Sequence, residues 1–212
     1  MLTIIEKSTV PVKTCEMVKT IFTSAQTVFE QNKSKIAVLS NPEFIAQGVA
    51  IKNLTNPDAV IIGDLGDHVS RKKAEELKSL YEAWVPESKI ITTQAYESEL
   101  IKLAANSFLA QRVSSINSIS AICEGLNCDV DNVSKGLASF RNIGDRFLKA
   151  SLGFGGSCFE KDVKSLVYLA RSLGLEDVAE YWEVVIKMNN FQKNRFCDRI
   201  VSRMIVIPKY LL

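Results

Sequence analysis

The stretch AVIIGDLGDHVSRKKAEELKSLYEAW, residues 59–84, places a short β-rich run directly before an amphipathic helical pattern. The run predicts a strand over Ala59–Asp64, and the pattern behind it predicts a helix over Ser70–Trp84. Similar runs predict three further strands, and a helix opened by Pro11 is predicted to reach Glu30. These strands are LTIIEKS (2–8), KIAVLS (35–40) and KIITT (89–93). Because strands alternate with helices, the first half predicts an α/β domain with a mostly parallel sheet.

The second half of the chain has helical spacing of apolar residues almost throughout. Asp129 is a suitable N-cap for a helix that ends near Gly136. After an irregular stretch, a helix is predicted over residues 157–173 with Gly174 at its C′ position, and a long pattern follows over 176–204. The first helical pattern of this half has its apolar positions at Leu100, Leu103, Ala104, Phe108, Leu109, Val113, Ile116 and Ile119.

The long pattern carries an apolar stripe made of Val178, Trp182, Val185 and Ile186. A chain of 212 residues offers little surface against which a helix of this length could bury such a stripe. Large exposed apolar patches mark interaction surfaces. The stripe therefore predicts that the helical half associates with a second copy of itself.

The composition excludes several classes of protein. Lys and Arg (26) nearly balance Asp and Glu (24), which gives no support to a nucleic-acid-binding function. No run of about 18 apolar residues is present, so a membrane span is not expected, and the charged start MLTIIEK argues against a signal peptide. The five cysteines are scattered and odd in number. They favour reduced thiols in a cytoplasmic compartment, and a metal site is not expected.

The motif GFGGSCFEKD, residues 153–162, places three glycines before a cysteine at a predicted helix start. Cys158 then falls in the first turn, where free backbone amides and the helix dipole stabilise a thiolate. Asp162 lies one turn further on the same face. On spacing alone, a buried cysteine that fills a hole in the core is an equally good interpretation. The dinucleotide fingerprint G-x-G-x-x-G is absent here, because Cys158 stands where its third glycine would be, and it is absent elsewhere in the chain.

Four further positions are candidates for a functional role. Lys102 and Asn106 lie one helical turn apart and could face inward together, although a surface lysine fits the spacing better. Glu43, in the segment SNPEFIAQG after a predicted strand, is either a ligand group or a solvent-facing acid. The single histidine, His68, would be needed by a Cys-His hydrolase, which is an alternative from another class of enzyme.

Four segments taken together resemble the UDP-glucose 6-dehydrogenase family, and especially its animal members. They are IEKSTVPV, NPEFIAQG, KLAANSFLAQRVSSINSIS and GFGGSCFEKD, in the order in which the family has them. The resemblance extends from about Ile4 to about Ile200. It implies NAD-dependent oxidation of UDP-glucose to UDP-glucuronate, on a Rossmann-like domain followed by a helical central domain that dimerises through a long helix.

The resemblance also assigns roles to individual residues. Cys158 matches the nucleophile that forms a thiohemiacetal and then a thioester, while Lys102 and Asp162 match the groups that handle the alcohol proton and the oxyanion. Asn106, Glu43 and Thr9 complete the implied catalytic set. Implied substrate contacts are Glu43, Phe44, Ile45, Ala46, Gln47, Lys102, Asn106, Asn142, Lys149, Ala150, Ser151, Leu152, Gly153, Phe154 and Gly155. Implied NAD contacts are Ser8, Thr9, Val10, Gln47, Cys158, Phe159, Glu160 and Lys161.

The chain departs from the family pattern at two of these positions. Gln47 replaces a glutamate near the expected nicotinamide, which removes a charge but keeps a hydrogen-bonding group. Asn142 replaces an arginine that would reach the sugar bound by a neighbouring subunit, and Arg141 is displaced by one residue. A displacement of one residue points a side chain elsewhere. We therefore expect weaker substrate binding.

The resemblance implies a division into three parts. Residues 1–93 are expected to be the later part of the NAD-binding domain, and residues 94–204 the helical domain. Residues 205–212 form a divergent tail where a UDP-binding domain would begin. Because the glycine fingerprint and that last domain are expected outside this chain, the chain alone is expected to form no NADH from NAD and UDP-glucose. The alternative within the family is a non-catalytic dimerisation or UDP-sugar-binding module.

Overall fold

The structure is a computed structural model that describes residues 2–28 and 36–206. Its chain divides into two compact units, residues 1–103 and residues 104–212. This division falls inside one long helix, further along the chain than the boundary expected at residue 93. The elements are β1 Leu2–Glu6, α1 Thr14–Val28, β2 Ile36–Ser40, α2 Ala50–Thr55, β3 Val60–Asp64, α3 His68–Tyr81, β4 Ile90–Gln94, α4 Ala95–Gly125, α5 Val130–Ala138, α6 Phe159–Ser172 and α7 Glu176–Val206.

The first unit contains a four-stranded sheet in the order β1-β2-β3-β4, which confirms the predicted α/β class. β1 pairs in parallel with β2, and β3 pairs in parallel with β4. β2 and β3, however, meet in antiparallel orientation at Ser40 and Gly63. The sheet is therefore mixed, and not simply parallel. Alternating side chains identify a strand but carry no information on the direction of its neighbour, so the spacing could not reveal this junction.

The core of this unit lies between the sheet and α3. Leu39, Val60 and Ile62 from the strands pack with Ala74 and Leu77 of α3, and all are buried. A smaller cluster joins Cys15, Val38 and Ala95.

α1 begins at Thr14 and not at Pro11 as predicted. The backbone of Lys13 has a positive φ of 80°, which is incompatible with a helix, so the turn after Pro11 must close before the helix starts. Glu99, a buried residue of α4, accepts hydrogen bonds from the backbone amides of Lys13 (2.6 Å) and Cys15 (2.9 Å). The predicted end of this helix, at Glu30, lies outside the described residues.

α3 begins earlier than predicted, because Asp67 and not a later residue is its N-cap. The Asp67 carboxylate accepts hydrogen bonds from the amides of Val69 and Ser70, both at 3.0 Å. The helix also ends at Tyr81, before the predicted end at Trp84. The short helix α2, which has no buried residue, was not predicted, since six residues are too few to show a helical period.

The second unit is helical, as predicted. Asp129 caps α5 by accepting a hydrogen bond from the amide of Asp131 at 2.9 Å, and α5 continues to Ala138, beyond the predicted end at Gly136. Gly174 follows α6 with a φ of 74°. Its amide and that of Leu175 bond back to the last turn, which confirms the predicted C′ glycine.

The prediction that the apolar stripe on α7 is left exposed within one chain is wrong for most of its residues. Trp182 and Val185 are buried, and Ile186 packs against the same cluster. They meet Val163 and Val167 of α6, so α6 covers the stripe within the unit. Only Val178 is exposed. The expected tail, residues 205–212, lies outside the described residues from position 207 onward. Among the described residues, no helix is long and apolar enough to cross a membrane.

Candidate active site

The first group of predicted site residues follows β1. Ser8, Thr9 and Val10 lie in the segment that connects the end of this strand to α1. The amide of Ser8 donates to the Glu6 carboxylate at 2.9 Å, which fixes the turn out of the strand. The hydroxyl of exposed Ser8 and that of half-buried Thr9 lie beyond the carboxyl end of β1. In α/β sheets this is the edge where ligands bind.

A hydrogen-bonded network that the sequence did not predict links the carboxyl ends of β1 and β2. The Lys7 ammonium donates to the Asn41 side-chain oxygen (3.0 Å) and to the Tyr81 hydroxyl (3.1 Å). Tyr81 also donates to that oxygen at 2.7 Å, and the Asn41 amide donates to the carbonyl of Ile61 at 2.7 Å. The available signal was the position of Lys7 and Asn41 directly after two strands.

The segment Glu43–Gln47 follows β2 and contains the second group. The amide of Glu43 donates to the carbonyl of Lys7 at 3.1 Å, so this segment is joined to the end of β1. The amide of Ala46 donates to the Asn53 side chain at 3.0 Å, while Ile45 and Gln47 are exposed. These contacts bring the predicted residues that follow β1 and β2 to the same edge of the sheet.

Lys102 is buried at 8% exposure, so its interpretation as a surface lysine is wrong. Its ammonium lies 4.7 Å from the centre of the Phe44 ring, a cation–π arrangement. A lysine inside a protein keeps its charge only where other groups compensate for the lost water. The aromatic face supplies part of that compensation and fixes the ammonium beside the Glu43–Gln47 segment.

This edge of the sheet suits the nicotinamide end of a dinucleotide. Ser8, Thr9 and Gln47 offer neutral hydroxyl and amide groups that can donate and accept hydrogen bonds. All of them lie beyond the carboxyl ends of β1 and β2, the edge at which α/β sheets bind ligands. The residues present therefore fit the cofactor at this end.

The second unit holds a buried carboxylate. Asp162 of α6 is fully buried, and Asn106 of α4 donates to its Oδ2 at 2.5 Å. Lys161 pairs with its other oxygen at 2.6 Å. A buried carboxylate is stable only when its oxygens have donors, and these two side chains supply them. The structure therefore brings together two of the predicted site residues, Asn106 and Asp162, which the sequence analysis had not paired with each other.

Cys158 is the N-cap residue of α6 and not part of its first turn, because the helix begins at Phe159. It is exposed, so the interpretation as a buried core cysteine is wrong. Its side chain makes no capping hydrogen bond, and its sulfur lies 3.8 Å from the Ser157 hydroxyl. The carbonyl of Cys158 accepts the amide of Asp162 at 3.0 Å, which places the exposed thiol one turn before the buried carboxylate.

The predicted substrate loop, residues 149–155, is fixed by three buried amide side chains that the sequence analysis missed. Asn117 of α4 accepts the amide of Ser151 at 2.8 Å, and Gln192 of α7 donates to its carbonyl at 2.7 Å. Asn189 accepts the amide of Phe154 at 2.8 Å and donates to its carbonyl at 2.9 Å. The signal that could have found them is a polar residue at a core position of a helical pattern.

Gly153 is required by this arrangement. Its φ is 108°, in the region that only glycine adopts readily, and a Cβ there would lie 2.5 Å from the Asn189 side-chain oxygen. Gly156 also has a positive φ, of 83°, whereas Gly155 has open space and no such φ.

The remaining candidates lie apart from these clusters. Asn142 is exposed in the segment after α5, and Arg112 donates to the carbonyls of Gly144 and Arg146 further along it. His68, which the hydrolase alternative requires, is exposed at the first residue of α3. The one cysteine of its own unit, Cys15, is buried, and burial together with Glu99 raises the pKa of that thiol. Among its described residues, the first unit therefore offers His68 no exposed thiol.

Most of the chain matches known protein families and individual known proteins. Residues 2–85 match the NAD binding domain of the UDP-glucose/GDP-mannose dehydrogenase family, and residues 96–191 match the central domain of the same family. The chain is 53% identical over 197 residues to UDP-glucose 6-dehydrogenase of Gallus gallus, covering 93% of this chain and 39% of that protein. It is 51% identical over 202 residues to UDP-glucose 6-dehydrogenase of Caenorhabditis elegans, covering 95% and 41%.

Solved structures agree with this match. The fold superposes on a UDP-glucose dehydrogenase from Pyrobaculum islandicum with a TM-score of 0.77 and 33% identity, over 89% of this chain and 41% of that chain. The chain thus spans about two fifths of the length of the relatives it matches.

Proposed function

The chain belongs to the UDP-glucose/GDP-mannose dehydrogenase family, and on that premise we propose that it carries the nucleophile and the acid–base groups of NAD-dependent oxidation of UDP-glucose to UDP-glucuronate. One observation carries the proposal. The exposed thiol of Cys158 lies one helical turn before the fully buried carboxylate of Asp162, and Asn106 holds that carboxylate at 2.5 Å. An accessible thiol next to a fixed acid–base group is the arrangement that covalent catalysis by cysteine needs.

Two sets of side chains would hold the cofactor and the substrate. When bound, NAD would accept one hydride from the sugar carbon in each of the two oxidation steps, so one turnover would use two NAD molecules. Its contacts in the first unit would come from Ser8, Thr9, Val10 and Gln47, and in the second from Cys158, Phe159, Glu160 and Lys161. The UDP-sugar contacts would come from Glu43, Phe44, Ile45 and Ala46, and from the loop of residues 149–155.

The first half of the proposed chemistry concerns the sugar alcohol. Asp162 takes up the proton of the hydroxyl at C6 as a hydride leaves that carbon, and the Lys102 ammonium stabilises the negative oxygen that develops there. Asn106 orients Asp162, which can act as a proton acceptor at a defined position because its hydrogen-bonding donors are fixed. The product of this step is an aldehyde.

The second half concerns the aldehyde. The Cys158 sulfur adds to the carbonyl carbon, and the carbonyl oxygen gains a proton, which gives a thiohemiacetal. Loss of a hydride and a proton converts this adduct to a thioester. Water then cleaves the carbon–sulfur bond, releasing the carboxylate and restoring the thiol. Glu43 and Thr9 are the groups we propose to orient that water.

The substitution at Asn142 bears on substrate affinity. Asparagine is shorter than the arginine that the family pattern has there, and it carries no charge. We propose that this position contributes less binding energy to an anionic nucleotide sugar than arginine would.

We further propose that the second unit forms a homo-oligomer, through a different stripe from the one predicted. Tyr181, Val184 and Phe191 of α7 are exposed by 53%, 53% and 48%, and with Met188 they are spaced by three and four residues. Tyr181, Val184 and Met188 border an open cavity of about 280 Å³ between α7 and α4. A Val184→Asp substitution should lower the molecular mass measured by light scattering, whereas Asn190→Asp, which adds the same charge at an exposed position of α7, should not.

The five cysteines are free thiols in the structure. A reducing compartment suits them, and we propose the cytoplasm.

Cysteine protection tests the proposed chemistry directly. The reduced chain is incubated with the UDP-linked 6-aldehyde of glucose and then treated with a limiting amount of iodoacetamide, and labelled cysteines are identified by peptide mapping. We expect the aldehyde to protect Cys158 and to leave Cys197 labelled, because only Cys158 forms the thiohemiacetal. A Cys158→Ser variant should lose the covalent adduct. Unchanged labelling of Cys158 contradicts the proposal, and equal protection by UDP alone indicates a binding module without covalent chemistry.

A further inference from the structure

The carboxyl end of α4 closes in a turn that has a cysteine at each of its two ends. The amide of Cys128 donates to the carbonyl of Cys123 at 2.9 Å, and the amide of Asn127 donates to the carbonyl of Glu124 at 3.1 Å. Asn127 has a positive φ of 54°. These two bonds and the left-handed residue define a Schellman motif, in which the side chains of the first and last residues face each other.

This motif sets the distance between the two cysteines. With an oxygen-to-nitrogen distance of 2.9 Å, standard backbone dimensions limit the Cα atoms of Cys123 and Cys128 to about 6.8 Å apart. A disulfide bond requires a Cα separation of about 4.4–6.8 Å. The turn therefore already holds the two residues within the range that a disulfide can join.

The surroundings give the two thiols different accessibility. Cys128 is exposed and Cys123 is buried, but both line an open cavity of about 400 Å³. Burial, and then the neighbouring Cys128 thiol, raise the pKa of Cys123. Glu124, between them in sequence, pairs with Arg195 and Arg199 of α7, so this end of α4 is attached to its neighbour and the turn is held in place.

We propose that Cys123 and Cys128 form a redox-sensitive dithiol that a small-molecule disulfide converts to an intramolecular disulfide. The Cys128 thiolate attacks one sulfur of the small molecule, breaks its S–S bond and releases one thiol. Cys123 then loses its proton and attacks the Cys128 sulfur, which forms the protein disulfide and releases the second thiol. The protein loses two hydrogens and two electrons, and the small molecule gains them.

The order of these steps follows from exposure. A reagent in solution reaches Cys128 first, and Cys123 completes the exchange from the cavity wall. The other exposed cysteines, Cys158 and Cys197, have no second cysteine within ten residues in the sequence. They should therefore stop at the mixed disulfide.

Oxidised glutathione and peptide mapping test the proposal. The reduced chain is equilibrated with oxidised and reduced glutathione at a series of ratios, quenched with acid and alkylated. Trypsin leaves both cysteines on one peptide, residues 113–135, because it contains no internal Lys or Arg. We expect this peptide to lose two hydrogens and to carry no glutathione, while the Cys158 and Cys197 peptides carry glutathione. A stable glutathione adduct on Cys128, or a crosslink between Cys128 and Cys197, would overturn the proposal.

Two comparisons test whether the folded turn promotes the disulfide beyond what the short sequence spacing of the two cysteines would do. Cys128→Ser, at an exposed position, should abolish the loss of two hydrogens and leave no glutathione on the buried Cys123. In strong urea, the ratio of oxidised to reduced glutathione that is needed to form the disulfide should rise by about tenfold or more, because the left-handed turn is lost. This rise is equivalent to about 30 mV. Equal closure in folded and unfolded chain would show that the Schellman geometry contributes nothing.

Discussion

Two helix N-termini in this chain are built in opposite ways. At α3, the N-cap Asp67 accepts the free amides of Val69 and Ser70 and pairs with Lys19 at 2.5 Å. At α6, the N-cap is Cys158, whose side chain bonds to no amide of its helix. The first helix uses its cap residue to satisfy its own backbone, whereas the second keeps its cap residue exposed and its cap side chain bonds to none of those amides.

The stability that α6 lacks at its cap comes from around it. Asn189 fixes the preceding loop through two hydrogen bonds to Phe154, and Asn106 fixes Asp162 one turn inside the helix. The chemistry proposed for Cys158 needs a side chain that is held in position without being consumed by a structural bond. The comparison therefore predicts that support around Cys158 matters more for folding than Cys158 itself.

Gly153→Ala should have the largest effect on stability. The substitution combines a positive φ with a contact of 2.5 Å to the Asn189 oxygen, which already accepts the Phe154 amide. We expect a loss of about 3 kcal/mol in the free energy of unfolding, measured by urea titration with tryptophan fluorescence as the signal. Gly155→Ala is the matched control, because its Cβ meets nothing within 4 Å, and it should change this free energy by less than about 0.5 kcal/mol. Equal effects of the two substitutions would show that the backbone conformation of Gly153 and its contact with Asn189 do not stabilise the fold.

Asn106→Ala should have the next largest effect. It leaves the buried Asp162 with one donor fewer, and an under-satisfied buried charge costs about 2 kcal/mol. The same urea titration measures the loss, and Ser115→Ala, at an exposed position of α4, is the control. A change no larger than that of the control would mean that Asp162 does not depend on Asn106.

The sequence predicted most elements but not how they are supported. Alternating and helical spacing identified the four strands and six of the seven α-helices among the described residues, because burial of one face determines both patterns. It missed α2, which has no buried face, and the antiparallel contact of Ser40 with Gly63, which depends on how strands pair.

The candidate site was predicted by its motifs, and its supports were not. Lys102 and Asp162 were found by resemblance to a family, since spacing alone favoured a surface lysine. The amides of Asn117, Asn189 and Gln192 act across elements distant in sequence, and no local pattern records which loop they bind.

Removing the cap side chain should lower the free energy of unfolding at the N-terminus of α3 but not at that of α6. Asp67→Ala should lower the free energy of unfolding by about 1 kcal/mol, because two amides lose their acceptor. Cys158→Ala should change it by less than about 0.5 kcal/mol, since its side chain makes no capping bond. Glu75→Ala, an exposed substitution on α3, controls for helix propensity. A destabilisation by Cys158→Ala as large as that by Asp67→Ala would contradict the comparison.

Lowering the pH should reduce the difference in stability between the wild-type chain and the Asp67→Ala variant. Burial tends to raise the pKa of Asp67, but hydrogen bonds from Lys19 and Ser70 outweigh it and lower the pKa to about 2. Because the folded pKa lies below the ordinary value of about 3.9, the stabilisation is present above that value and disappears as the pH falls through about 2. The stability of the wild-type chain and that of Asp67→Ala should therefore converge towards pH 2, as measured by urea unfolding at a series of pH values.

Competition among the five cysteines tests whether Cys158 is the reactive thiol. The reduced, folded chain is treated with less than one equivalent of iodoacetamide, and the label on each cysteine is measured by peptide mapping. Cys128, Cys158 and Cys197 are all exposed, so exposure alone predicts similar labelling of the three. We predict that Cys158 is labelled first, because it lies at a helix N-terminus whose amides its side chain does not occupy. Preferential labelling of Cys123 or Cys197 would contradict it.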